Sequence, residues 1–274
     1  MIRSLYSGVS GMRGFQNKLD VIGNNIANVN TVGFKMGRVV FKDILSQTVG
    51  GVTAPDGGNQ GGVNAKQIGL GVAVGAIDTI HTPGSAQTTN VVTDLRIDGD
   101  GFFAVKSSLD QTTPYLTRAG TFTLDANRDL VTSDGLHVMT VGGTDKITIP
   151  PEVTAFTISQ DGRIIGIDNA GASTDTGIQI GIVKVTNPGG LEKIGGNLYR
   201  SNSNSDANPT PDVVAANNAA LGTGAIVSGQ LEMSNVDLTS EFTEMIIAQR
   251  GFQSNARIIT TSDEILQEIV GLKR

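Results

Sequence analysis

Near the C-terminal end, Leu238, Phe242, Met245, Phe252, Ala256, Ile259, Leu266 and Val270 recur at steps of four, three, seven, four, three, seven and four. This spacing predicts a heptad seam on one long helix over Asn235 to Arg274, interrupted where Gln249 and Asp263 stand at core positions. Ile246, Ile258, Ile265 and Ile269 flank the seam and broaden the apolar face. Asp237 is placed to cap the helix start, Glu241 and Glu244 suit the positive end of its dipole, and Lys273 and Arg274 suit the negative end. At 1.5 Å per residue the helix is about 50–55 Å long. It cannot hide that face against itself, so a partner helix or another subunit is expected.

The first thirty residues carry a matching pattern. Leu5, Val9, Met12, Phe15, Leu19, Ile22, Ile26 and Val29 step by four, three, three, four, three, four and three. One such helix usually packs on a globular core. Two at opposite ends, with almost no helical pattern between them, predict that the termini pair as a coiled coil. Charge agrees: residues 1–30 hold Arg3, Arg13 and Lys18 against Asp20, or 3 − 1 = +2, while residues 235–274 hold six acids against four bases, or 4 − 6 = −2. Such surface pairing guides orientation more than it adds energy. The first helix is intrinsically weak, because Gly8, Gly11 and Gly23 each cost about 1 kcal/mol relative to Ala. Ser7, Gly8, Ser10 and Gly11 give a small-residue surface where another backbone can approach. The expectation is a pair of termini that fray in the monomer and order on assembly.

Between the helices the texture changes. Residues 27–35 contain Asn30 and Gly33 as helix-ending residues. Residues 38–49 are apolar-rich and fit a strand or a short helix, and the Gly-rich stretch 50–67 reads as a flexible loop. From Ile68 onward, short alternating runs are punctuated by turn signals: DGDG at 98–101, Ala119-Gly120, Asn127, Asp134-Gly135 and Asp161-Gly162. Residues 201–224 form a low-complexity polar loop, and 226–235 a last strand. The predicted organisation is α+β. Residues 1–30 and 236–274 form the terminal coiled coil, 31–75 an extended linker, and 76–235 an inserted, all-β antiparallel body.

Composition narrows function mainly by exclusion. The 274 residues contain no Cys and no Trp, so a disulfide framework, a thiolate metal site and a cysteine nucleophile are absent. A net charge of −6 argues against nucleic acid as the main partner. No apolar run approaches the roughly 20 residues of a membrane span, and the opening MIRSLYSGVSGM lacks the apolar block and cleavage site of a secretory signal. Charged residues make up only 17%, which suggests that much of the surface ends up against other protein.

Catalytic, cofactor and metal sites are not expected. His81 and His137 lie in separate strand-like segments without an acid cluster. Asp125, Asn127 and Asp129 have the spacing that opens a calcium loop, but Leu130 and Leu136 stand where Gly and Glu are required, so a hairpin turn is the reading. Asp98 and Asp100 likewise fit a turn, and the glycines of GLGVAVG lack dinucleotide-loop spacing.

MIRSLYSGVSGM, LDVIGNNIANVNTVGFK and RVVFKDILSQT at one end, and SNVDLTSEFTEMIIAQRGFQSNARIITTSDEIL at the other, resemble the bacterial flagellar rod–hook family. IDGDGFFAV, YLTRAGTFTLD and GNLYR extend the likeness across most of the chain. The resemblance implies a structural subunit, not an enzyme. It would polymerise with its own copies into a helical tube, terminal helices inside and β body outside. It further implies contacts with rod and hook–filament junction proteins, a hook cap during assembly, and passage through the flagellar type III export apparatus without a cleaved signal peptide. The implied location is the extracellular hook or the basal body. Within the family, the terminal motifs resemble hook subunits, particularly the short ones of Bacillus-like bacteria, and imply a flexible torque-transmitting tube. The alternative is a distal rod subunit, a stiff shaft, which the length and the 50–67 stretch also suit. A non-flagellar enzyme or binding domain dimerised by its helices is a third reading, disfavoured by the lack of a convergent polar site. Leu5, Val9, Met12, Leu19, Ile22 and Ile26, with Leu238, Phe242, Met245, Phe252, Ile259 and Leu266, are the expected assembly positions. Phe41 and Leu45 match a short export-recognition pattern, with packing in the linker as the plain alternative.

Overall fold

A computed structural model describes residues 2–55, 61–168, 171–206, 208 and 210–272. The chain divides into two units. Residues 1–27, 37–79 and 237–274 form the first, and residues 28–36 and 80–236 the second.

In the first unit, helix α1 (Ile2–Ala27) pairs with helix α2 (Leu238–Gly271). As expected, Asp237 caps α2, its carboxylate accepting from the Thr239 amide at 3.0 Å. The dipole role expected of Lys273 and Arg274 lies outside the described residues. Four strands complete this unit: β1 (Gly37–Asp43), β2 (Ser46–Gly50), β3 (Lys66–Gly69) and β4 (Val72–Thr79). β1 pairs antiparallel with β4, and β2 with β3, and a Thr53–Val63 bridge follows. Residues 31–75, expected as an extended linker, therefore hold paired strands, and the described parts of the stretch read as a flexible loop, 50–55 and 61–67, contribute to them, while its residues 56–60 lie outside the described residues. The pattern hid the far end of this two-stranded ribbon because neither face is covered there: Val49, Val52, Val63 and Ile68 are all exposed. At its near end the ribbon packs on α1, where Phe41 meets Phe15 with ring centroids 6.0 Å apart.

Among the described residues, the second unit contains sixteen short strands. They begin with β5 (Ala86–Thr88), β6 (Leu95–Asp98), β7 (Phe102–Lys106), β8 (Tyr115–Thr117), β9 (Phe122–Leu124) and β10 (Leu130–Thr132). Next come β11 (His137–Val138), β12 (Val153–Ile158), β13 (Arg163–Asp168), β14 (Ser173–Gln179) and β15 (Gly181–Val183). The rest are β16 (Glu192–Gly195), β17 (Leu198–Arg200), β18 (Val213–Ala215), β19 (Ala225–Ser228) and β20 (Gln230–Glu232). Every pairing among them is antiparallel. The largest sheet runs β16-β17-β8-β7-β11-β10-β9, with β15 joining β7 to β18. All five residues of β7 are buried, because both faces of this strand are covered. Phe103 and Val105 join a core with Leu95, Ile97, Phe122 and Ile182, while Phe102 and Ala104 join a second with Leu116, Met139 and Tyr199.

The turns at Asn127, Asp134-Gly135 and Asp161-Gly162 close the hairpins β9–β10, β10–β11 and β12–β13. Two others do not close hairpins. The strands flanking DGDG enter different sheets, β6 pairing with β19 and β7 with β8, β11 and β15. The strands flanking Ala119-Gly120, β8 and β9, also find other neighbours. The polar stretch 201–224, read as a loop, contains β18.

Candidate functional site

Helices α1 and α2 meet antiparallel through a chain of specific contacts. Asn25 Nδ2 donates to Glu241 Oε2 at 3.3 Å, and Lys18 Nζ reaches Glu244 Oε2 at 2.5 Å. Farther along, Phe15 lies over Gly251, Gly11 faces Asn255, and Gly8 faces Ile259. At Gly11, an added Cβ would stand 2.8 Å from the Asn255 amide nitrogen. Gly8 and Gly11, which weaken α1 as an isolated helix, are thus what lets α2 approach it, whereas Gly23 faces nothing within 4 Å. Burial holds the Glu241 carboxyl above its usual pKa range, opposed by the Asn25 hydrogen bond.

On α2 the contact column is Glu241, Ala248, Asn255 and Ser262, beside Met245, Ile259 and Leu266. The predicted seam shares the second column but not the first. Leu238, Phe242 and Phe252 are exposed, Phe242 by 50%, while Met245, Ile259 and Leu266 are half-buried. On α1, Ile22 is buried, Leu5, Met12, Leu19 and Ile26 are half-buried, and Val9 is exposed. The displacement explains Gln249 and Asp263: they are not core positions but exposed ones. A heptad search finds the greasiest columns, whereas the helices close on the smallest. Bulky residues are left on both flanks of α2: Leu238, Phe242 and Ile246 on one side, and Ile247, Ile258, Ile265 and Ile269 on the other. Of the expected export pair, Phe41 is half-buried against Phe15, and Leu45 is 77% exposed.

The second unit holds an ion cluster that sequence reasoning missed. Lys35 and Glu232 are almost fully buried and 2.5 Å apart, with Arg118 3.2 Å from the other carboxylate oxygen. Lys35 also donates to the Thr82 carbonyl at 2.7 Å, and Arg118 to the Gly99 carbonyl at 2.9 Å. Burial works to raise the Glu232 pKa, but Arg118, Lys35 and the Gly84 amide outweigh it and hold the group below its usual range. Burial lowers the Lys35 pKa against the opposing pull of Glu232. The three residues are separated by 83 and 114 positions (118 − 35 and 232 − 118), so no spacing rule links them. Lys35 and Arg118 stand within NTVGFK and YLTRAG, two of the segments that carry the family likeness.

Neither histidine lies in a reactive constellation. His81 packs edge-on between Phe102 and Tyr199, with centroids 5.7 and 5.4 Å away. Burial, reinforced by Lys35, Arg118 and Lys193, pushes its pKa down to about 4. Burial likewise pushes the Tyr199 phenol up to about 12. Asp129, read from sequence as a turn residue, is buried and accepts from Lys146 Nζ at 2.6 Å and Thr148 Oγ1 at 2.5 Å. Among the described residues no cluster of His, Cys, Asp and Glu is arranged to hold a metal, and no helix is long and apolar enough to cross a membrane.

Comparison with known proteins follows the same segments. Residues 5–35 match the family described as flagella basal body rod protein, residues 96–166 the flagellar hook protein FlgE/F/G D1 domain, and residues 227–272 the flagellar basal body rod FlgEFG protein C-terminal region. The chain is 58% identical over 276 residues to the "Flagellar basal-body rod protein FlgG" of Bacillus subtilis (strain 168), covering all of both chains. It is 38% identical over 277 residues to the protein of the same name from Borreliella burgdorferi, again end to end. Similarity to the "Flagellar hook protein FlgE" of that organism is 29% over an alignment of 451 residues.

Proposed function

The chain belongs to the flagellar rod–hook family of structural proteins, and on that premise we propose that it is a subunit of the basal-body rod, the stiff shaft, rather than of the hook. The observation carrying this reading is the end-to-end alignment with the rod-named relative at 58% identity over 276 residues. The hook-named relative also aligns end to end, but at 29% identity over 451 positions, 451 − 274 = 177 more than this chain has. The terminal motifs suggested a hook, but the C-terminal one matches a family named for FlgE, FlgF and FlgG together, so overall identity and length discriminate better.

In this reading the subunits polymerise with their own copies through the two apolar flanks of α2 and the exposed ribbon. Neighbouring rod and junction proteins and the export apparatus are further partners of the same proposal. Export recognition through Phe41 and Leu45 also belongs to it, although packing on Phe15 accounts for Phe41 without it. An extra layer contributed by the ribbon would resist sliding between subunits, which suits a shaft more than a bending joint.

Antibody labelling of purified hook–basal bodies tests the placement: label on the shaft supports the rod, and label on the hook overturns it. Phe242→Asp and Phe252→Asp test the surface. Both side chains are exposed in the monomer, so the variants should fold within about 0.5 kcal/mol of the parent. In the polymer the same change buries an unpaired charge, at a cost on the order of several kcal/mol, and rods should not form. Wild-type motility in both variants would exclude the Phe242 flank as an assembly surface.

A further inference from the structure

The chain passes between its two units four times, at 27/28, 36/37, 79/80 and 236/237. In the second unit one side chain gathers three of these crossings. Asn235 Oδ1 accepts from the Met36 amide at 2.8 Å, and Asn235 Nδ2 donates to the Ile80 carbonyl and the Thr82 hydroxyl, both at 2.9 Å. The Ile80 amide in turn donates to the Met36 carbonyl at 2.9 Å. Lys35 reinforces the node, because its ammonium holds both Glu232 and the Thr82 carbonyl. Residues 35–36, 80–82 and 232–235 are therefore tied at one place.

A second asparagine acts alike in the first unit. Asn25 Oδ1 accepts from the Gly37 amide at 2.9 Å, and Asn25 Nδ2 donates to the Gly37 carbonyl at 2.9 Å and to Glu241 at 3.3 Å. It joins the end of α1, the start of β1 and the first turn of α2. Only a carboxamide supplies an acceptor and two donors on one short planar group. Aspartate would set a carboxylate against the carbonyls, and an aliphatic residue would leave the backbone groups unpaired.

We infer that Asn25 and Asn235 are clamps that each gather three of the chain crossings within their own unit, so that force entering along one of those strands is shared with the other two. The geometry stands by itself, and its purpose rests on the flagellar reading, in which subunits work under torque. Bonds loaded side by side must fail together, whereas a crossing held alone peels away from the edge of its unit. Forced opening is governed by the unfolding rate, so a clamp changes survival under load more than resting stability.

Hydrogen exchange on the full chain, paired with motility under load, tests this. In Asn235→Ala the Met36 amide should exchange on the order of 10–100-fold faster, while the amides of β7 keep their protection. In Asn25→Ala the same is expected at Gly37. Cells carrying Asn235→Ala should assemble normal numbers of flagella, swim in ordinary medium, and shed flagella when the medium is made viscous. Unchanged exchange at Met36, or shedding that does not depend on viscosity, overturns the inference. If Asn235→Ala does not assemble, Asn25→Ala carries the same load test in the first unit: exchange at Gly37 and shedding under load should both rise, and no rise in either overturns the inference. The antibody label described above locates the subunit independently, so a failed rod reading leaves the clamp result interpretable.

Discussion

The ζ carbon of Phe15 lies 2.6 Å from the point where a Cβ on Gly251 would stand, so the ring on α1 fills the space that α2 leaves open. All three nearest ring atoms are within 2.9 Å of that point, and the ring as a whole would have to move. Gly251→Ala should therefore destabilise the helix pair by about 1–3 kcal/mol from overpacking, offset by about 1 kcal/mol from better helix propensity. Thermal melting followed by helical circular dichroism should show a lower midpoint in the variant. A higher midpoint would mean that propensity outweighs the contact.

Glu232 neutralises two buried cations at once. Glu232→Ala leaves Lys35 and Arg118 without their carboxylate and should cost about 3–5 kcal/mol. Lys35→Met removes one charge and leaves the Arg118 pair, so its cost should be smaller. Urea denaturation of both variants, read on the β signal, checks the order.

His81 should make the second unit less stable in acid. Its folded pKa of about 4 lies below the ordinary value of 6.5, so between those pH values the unfolded chain binds a proton that the folded chain refuses. Stability is then lost as pH falls from about 6.5 towards about 4. After discounting for partial exposure the loss is about 2 kcal/mol. In His81→Leu this part of the pH slope should vanish, as measured by urea midpoints across that range.

Asp129→Asn should be felt, although the sequence places Asp129 in a turn. The carboxylate is buried with Lys146 and Thr148 as partners. Burial works to raise its pKa, but those hydrogen bonds outweigh it and hold the group below its usual range. The amide cannot accept on both sides, and a loss of about 1–3 kcal/mol is expected from chemical denaturation at neutral pH.

What could be read from the chain alone depended on repetition. Heptad spacing announced both helices and their pairing, because apolar residues recur often enough to be counted. Which column of α2 meets α1 was not legible. The column with Phe242 is more apolar than the column with Ala248 and Ser262, yet close approach selects the smaller side chains. The far end of the ribbon was missed for a related reason: Val49, Val52, Val63 and Ile68 are all exposed, so no periodic contrast between a buried and an open face marks it. The Lys35–Arg118–Glu232 cluster is set by tertiary folding. The alternation at Leu95 and Ile97 marked a strand, but its partner β19 lies more than a hundred residues away.

The central strand of the large sheet has a kinetic consequence. β7 borrows two neighbours, β8 and β11, from nearer in the chain, but Phe102 and Phe103 find theirs on the β11 side in Val183 and Ile182, some eighty residues on. Until that later segment has emerged, the Phe102–Phe103 half of one edge of the strand that anchors both cores stays unzipped. Closing such a long loop is slow relative to local helix formation. A nascent or threaded chain therefore stays pliable until most of its length is through, and its body then sets late and all together.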